Sequence, residues 1–225
     1  MTTPPLPSLL YFTLIGLPLL GGCSYSDAGT GTNTLHVKAS LDYAAGDTDI
    51  SHLQVEILDS AGQPVSDAAV TLLDGDTGEE FTLPEADSGI YRSDIPKYRR
   101  RAQLVIERGS DRLDGQLEGP GPHLIETPVQ AGTVNRADRV EPLEVRWETT
   151  DGIKADLVTL GLDDDRFSTT ETEDRGFATI PKDELHSGSE GVTVRRRNSL
   201  VFAAGLNHSS FEITYQVRHG FQVQD

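Results

Sequence analysis

The chain predicts an all-β protein, with two tandem antiparallel β-sandwich domains behind an uncharged apolar N-terminus. Three observations carry that expectation. Apolar residues alternate with polar ones at every second position, as a strand with one buried face requires. Turn chemistry, Gly beside Asp, Ser, Asn or Pro, recurs at strand-length spacing. No stretch shows a helical period of any length.

The elements follow in order. Leu35, Val37, Ala39 and Leu41 alternate with polar residues, and so do Leu53, Val55 and Ile57. Asp59-Ser60-Ala61-Gly62-Gln63-Pro64 is a turn by composition. Val65, Ala68, Val70 and Leu72 come next, and Asp74-Gly75-Asp76-Thr77-Gly78 turns the chain again. Phe81 and Leu83, then Ile90 and Tyr91, then Leu104, Val105 and Ile106, then Leu113 and Leu117, and finally Leu124 and Ile125 complete a first set of about seven or eight strands. Pro120-Gly121-Pro122 is a loop before the last of these, and the polar run Thr127 to Asp138 is the domain boundary.

The second half repeats the style. Leu143, Val145 and Trp147 alternate, with Trp147 expected between two sheets. Ala155, Leu157, Val158 and Leu160 follow the Asp151-Gly152 turn. Pro181-Lys182-Asp183-Glu184-Leu185 fits one helical turn with Pro at its start. Val192 and Val194, then Leu200 and Phe202, are strand pieces. Phe211, Ile213, Tyr215 and Val217 alternate cleanly, and Phe221 and Val223 close the chain.

The N-terminal end is different in kind. From Leu6 to Gly22 no residue is charged, and the run ends Leu17-Pro18-Leu19-Leu20-Gly21-Gly22-Cys23, which holds the single cysteine of the chain. It is shorter than the roughly 20 apolar residues of a bilayer span and carries prolines. Small residues before Cys23 suit a cleavage site. Leu20-Gly21-Gly22-Cys23 resembles the lipobox of bacterial lipoproteins. That resemblance implies diacylglycerol on the Cys23 thiol, cleavage before Cys23 and acylation of the new amino group. Ser24 and Tyr25 after the cysteine imply the outer membrane, because an Asp there often marks inner-membrane retention in that family. The expected division is a signal peptide over 1–22, the lipidated Cys23 with a flexible tether over 23–33, a β-sandwich domain over 34–128, a linker over 129–139 and a second β-sandwich domain over 140–225. The tether reading rests on the small, polar Ser24–Asn33 segment, whose reach would be roughly 15–20 Å.

Two further resemblances bear on fold. Asp59-x-x-Gly62-x-Pro64-Val65-x-x-Ala68-x-Val70 followed by Gly89-x-Tyr91 resembles carboxypeptidase-regulatory-like and immunoglobulin-like modules of bacterial surface proteins. Asp87-x-Gly89-x-Tyr91 looks like the tyrosine corner of immunoglobulin folds, and Asp174-x-Gly176-Phe177 echoes it. With Cys23 acylated, no disulfide is expected, so packing alone must hold both domains.

The 225 residues carry a net charge of −17, which excludes the basic footprint of a nucleic-acid binder. The thiol nucleophile is spent and no Gly-x-Ser-x-Gly elbow is present. His36, His52, His123, His186, His208 and His219 are scattered without zinc spacing. The acidic runs Asp74–Glu80 and Asp163-Asp164-Asp165 offer the hard oxygens that calcium takes, but neither has the full twelve-residue calcium loop, and solvated turn carboxylates are the expectation. No catalytic residue, metal site or cofactor is therefore expected. The triplets Arg99-Arg100-Arg101 and Arg195-Arg196-Arg197 offer forks for acidic glycans or headgroups, or partners for nearby carboxylates. These readings converge on a lipid-anchored envelope protein of binding, adhesion or structural role. Its partners would be the membrane, through the lipid, and an envelope protein or glycan. The alternative is an accessory or catalytic lipoprotein acting on envelope peptides or glycans.

Overall fold

The computed structural model describes residues 25–136, 141–163 and 166–225. Cys23 and the apolar run before it lie outside the described residues. The described chain is all-β, with sixteen strands and a 3-10 turn at Lys182–Glu184, where Pro181 stands at the N-cap.

The first sandwich pairs two sheets. One holds β1 (Leu35–Ala45), β2 (Ile50–Asp59), β6 (Ile90–Pro96) and the short β5 (Glu85–Asp87). The other runs β4 (Glu80–Leu83), β3 (Ala69–Asp74), β7 (Arg101–Arg108) and β8 (Asp111–Glu118). In the second sandwich, β14 (Phe177–Ile180), β11 (Leu143–Thr149) and β9 (His123–Thr127) form a small sheet. It faces β13 (Ser168–Glu171), β12 (Leu157–Leu162), β15 (Gly188–Val201) and β16 (Ser210–Gln224), with β10 (Thr133–Asn135) beside the end of β16.

One sheet runs through both sandwiches. β16 lies parallel to β1 from Lys38↔Ser210 to Ala45↔Val217, and parallel to β10 from Thr133↔Gln222. The remaining ladders are antiparallel, as alternation and short turns predict. β15 and β16 pair continuously from Gly188↔Val223 to Val201↔Ser210, a hairpin of about 45–50 Å at strand rise. Its distal part, with Phe202, Phe211 and Ile213, packs among Val37, Leu41, Ile57, Leu72 and Leu104. Its proximal part, with Val192, Val194, Val217 and Phe221, packs among Leu143, Val145, Trp147, Val158 and Leu160. Each such side chain contributes about 1.5–3 kcal/mol on burial, so one hairpin stabilises both cores. Tyr98 packs against both clusters and donates to the Pro120 carbonyl at 2.6 Å.

Four local expectations are corrected. Leu124 and Ile125 do not close the first sandwich; β9 pairs with β11, because Gly119–Pro122 has already carried the chain across. Tyr91 is buried, but its hydroxyl donates to the Val65 carbonyl at 3.0 Å and accepts from the Ala68 amide at 3.0 Å. It pins the connection between β2 and β3 rather than its own corner. The echo at Asp174-x-Gly176-Phe177 reverses roles: Phe177 is 41 % exposed on edge strand β14, and Asp174 is the buried residue. Finally, residues 25–33 do not hang free but pack on the body, as described next.

Candidate functional site

The segment leading away from Cys23 is a docked strap. Asp27 exchanges two backbone hydrogen bonds with Gln116 of β8, at 2.8 and 2.9 Å. The Thr32 amide donates to the Arg112 carbonyl at 2.9 Å, and the Asp114 amide to the Thr30 carbonyl at 3.0 Å. On its other side, the Ala28 carbonyl accepts from Ala203 and the Asn33 amide donates to the Ala204 carbonyl, each at 3.0 Å. The strap thus closes the gap between β8 and the tip of the β15–β16 hairpin. Its small residues serve close approach. A Cβ on Gly29, whose φ is +70°, would collide with the Asp114 carbonyl oxygen, and one on Gly31 with that of Arg112. Tyr25 lies against Gly75 with the Arg101 guanidinium 5.6 Å from its ring centre. The strap therefore begins beside Glu118, whose amide donates to Ser26 Oγ at 3.0 Å, at the waist between the sandwiches.

The second triplet supplies the most buried charge. On β15, Val192, Val194 and Arg196 share a face by strand periodicity, so Arg196 points inward and is fully buried. Its Nε and Nη2 donate to Asp174 Oδ2 at 2.9 and 2.6 Å; its Nη atoms also reach the Gly121 and Ile153 carbonyls, each at 2.5 Å. Asp174 accepts further from Trp147 Nε1 and the Ala155 amide, both at 3.0 Å. Trp147 is buried between the sheets, 4 % exposed. Burial alone would raise the Asp174 pKa, but the Ala155 amide and the Arg196 guanidinium outweigh it and hold the carboxyl below its ordinary value.

The other arginines are also engaged. Arg99 meets Asp74 at 2.5 Å and Glu79 at 3.0 Å; Arg100 meets Asp151 at 2.9 Å; Arg101 meets Glu118 at 3.0 Å. Arg197 meets Glu212 at 2.8 Å, whereas Arg195 binds the Gln216 amide oxygen. In the acidic run, Asp74 is buried, caps the Asp76 amide at 2.8 Å and has Arg99 as its cation. Burial raises its pKa, and the Asp76 amide with Arg99 lowers it further than burial lifts it. Asp163 pairs with Arg218. Asp164 and Asp165 lie outside the described residues. Among the described residues, no three His, Cys, Asp or Glu side chains converge as a metal site, and no helix is long and apolar enough to cross a membrane.

No three histidines converge among the described residues, although His123 and His219 lie near one another. His52 pairs with Asp94 at 2.7 Å, His36 meets the Leu206 carbonyl at 3.2 Å and His186 meets Arg166 at 2.5 Å. His123 is 1 % exposed, and neither ring nitrogen has a hydrogen-bond partner in good geometry. The Val194 carbonyl is near enough to favour the charged ring slightly, but burial and the neighbouring Arg196 push the His123 pKa down to about 3. The signal for this residue was its phase: His123 and Ile125 alternate with exposed Leu124 and Glu126.

No family model matches the chain, and no curated protein does. Solved structures do align with it. A Ca2+-stabilised adhesin of an Antarctic bacterium is 15 % identical over 87 % of this chain and 50 % of its own, with a TM-score of 0.29. Adhesin InvE of Yersinia pseudotuberculosis is 14 % identical over 81 % and 60 %, with a TM-score of 0.28. The first three fibronectin domains of chicken CNTN1 are 8 % identical over 84 % and 66 %, with a TM-score of 0.22. The chain spans half the length of the first of these. At such TM-scores the fold assignment rests on the chain's own strand pairing.

Proposed function

We propose that the chain is a lipid-anchored envelope protein whose two thiol-free β-sandwiches form a binding or structural body without catalytic chemistry. The observation that carries this reading is the docked strap. The chain is already packed against the body at Tyr25, two residues after Cys23, so an acyl anchor at Cys23 would hold the body close to the bilayer. Several acyl chains hold such an anchor, each buried methylene contributing roughly 0.8 kcal/mol. The shared sheet supports a structural or adhesive role, because load applied to either sandwich is carried through β15 and β16 rather than through a linker.

Fractionation of cells expressing the full chain and the Cys23→Ser variant tests this. The full chain is expected in the membrane fraction, with an acylated N-terminal peptide by mass spectrometry, and the variant in the soluble fraction. An unmodified N-terminal peptide, or equal partitioning of the two, would refute the anchor.

A further inference from the structure

The strap over residues 25–33 is joined to the body differently from the strand it leads into. None of its residues is buried, and none belongs to either core cluster; burial begins at Leu35. What holds it is mainly polar. Backbone hydrogen bonds tie it to β8 on one side and to Ala203 and Ala204 on the other. The Asp114 carboxylate accepts from the Thr30 amide at 2.8 Å, and Thr32 Oγ1 accepts from the Arg112 amide at 3.1 Å. The Tyr25 ring, half-buried against Gly75 and Arg101, is its largest contact.

A hydrogen bond at an exposed edge replaces one made to water. Its net contribution is about what fixing the backbone of one residue costs. The strap has about one such bond per residue and no fully buried apolar side chain to add, so its docked and free states lie near balance. β1 is the opposite case. Leu35, Val37, Ala39 and Leu41 are buried. The strand is paired on both sides, with β2 from Leu35↔Asp59 and with β16 from Lys38↔Ser210. An opening that starts at Tyr25 therefore stops at Leu35. Asn33, with φ +57°, marks the turn where strap meets strand.

We infer that the strap is a releasable latch. It opens as a unit while both sandwiches stay folded, and its state sets how far the body stands from the point where the chain is held. Docked, it fixes the body two residues from Cys23. Released, the chain between Cys23 and Leu35 spans about 17–20 Å as a coil and up to about 36–40 Å when extended. The same glycines serve both states. Gly29 and Gly31 allow close approach to the Asp114 and Arg112 carbonyls when docked, and they leave the chain flexible when free. The stand-off rests on the lipid anchor at Cys23, whereas the release does not.

Native-state hydrogen exchange of the full chain in detergent tests the release. The amides of Thr32, Asn33, Asp114, Gln116 and Ala203 donate across the junction between strap and body. They are expected to exchange at least about a hundredfold faster than those within β1 and β2. Their rates should also depend little on urea, because a local opening exposes little surface. Equal rates and equal urea dependence in the two groups would make the strap part of the global unit and overturn the release. The stand-off is read with the variant Gly29→Val, Gly31→Val, whose side chains collide with both carbonyls and dislodge the strap. Neutron reflectivity on a supported bilayer of phosphatidylethanolamine and phosphatidylglycerol should place its body about 10–20 Å farther from the lipid than that of the unaltered chain. Exchange in β1 and β2 should stay unchanged in the variant; quickened exchange there would show that the strap belongs to the core and overturn the latch. An unchanged separation would overturn the stand-off. Loss of both proteins from the bilayer would strike the anchor and the stand-off together, while exchange still decides the release.

Discussion

Replacing Arg196 with Met removes the counter-charge of Asp174 without opening a large cavity. The consequence can be worked from the geometry. Asp174 would keep its bonds from Trp147 Nε1 and the Ala155 amide but would face a core with no cation, its side chain 2 % exposed. The carbonyls of Gly121 and Ile153 would each lose the bond from Arg196. Breaking a buried pair from one side costs about 3–5 kcal/mol, a large part of the roughly 5–15 kcal/mol of a whole domain. Urea denaturation followed by Trp147 fluorescence reads that loss directly. Because β15 and β16 run through both cores, a far-ultraviolet signal reporting all strands is expected to shift with it as one transition. The double variant Arg196→Met with Asp174→Leu should lose clearly less than the sum of the two single variants, since no unpaired charge remains. A loss below about 1 kcal/mol for Arg196→Met, or additive losses in the double variant, would refute the reasoning.

Two further outcomes are expected. His123 has a folded pKa of about 3 against an ordinary value of 6.5, so the unfolded chain binds its proton more readily. Its contribution to stability is complete above pH 6.5 and falls by about 1.4 kcal/mol per pH unit below it, reaching about 2 kcal/mol by pH 5. The depressed carboxyl of Asp174 acts lower, its contribution present above 3.8 and lost as pH falls through its folded value. Denaturation midpoints between pH 7 and 5 should therefore flatten in His123→Leu, and an unchanged slope would remove His123 as the cause. In the strap, Gly29→Ala forces a side chain into the Asp114 carbonyl at φ +70°. Hydrogen exchange at Thr32, Asp114 and Gln116 should quicken while β1 and β2 stay protected, and unchanged exchange at those amides would show that the strap tolerates the clash.

What could be read ahead of the fold depended on whether a signal was local. Alternation located nearly every strand because it reports only that one face is buried, and Leu35–Leu41 and Phe211–Val217 each state that within seven residues. It says nothing of which strand lies alongside. The pairing of β1 with β16 joins residues more than 170 positions apart, and two strands of equal periodicity are equally good partners on paper. The same pattern was legible but discounted where the inward residue was charged. Val192, Val194 and Arg196 are in phase, and so are His123 and Ile125, yet charge and polarity argue for the surface unless a partner is known. Arg196 finds its partner in Asp174, twenty-two residues earlier, on a loop whose aspartate read as part of a corner. Glycine was the most ambiguous letter. In Ser24–Asn33 it stands equally for freedom and for contact too close for a side chain. Only the presence of β8 on one side and Ala203–Ala204 on the other decides for contact. The residues that sequence alone misplaced are thus those whose burial depends on a distant partner. Arg196 shows that dependence satisfied. His123 shows it met only in part, by the Val194 carbonyl of β15.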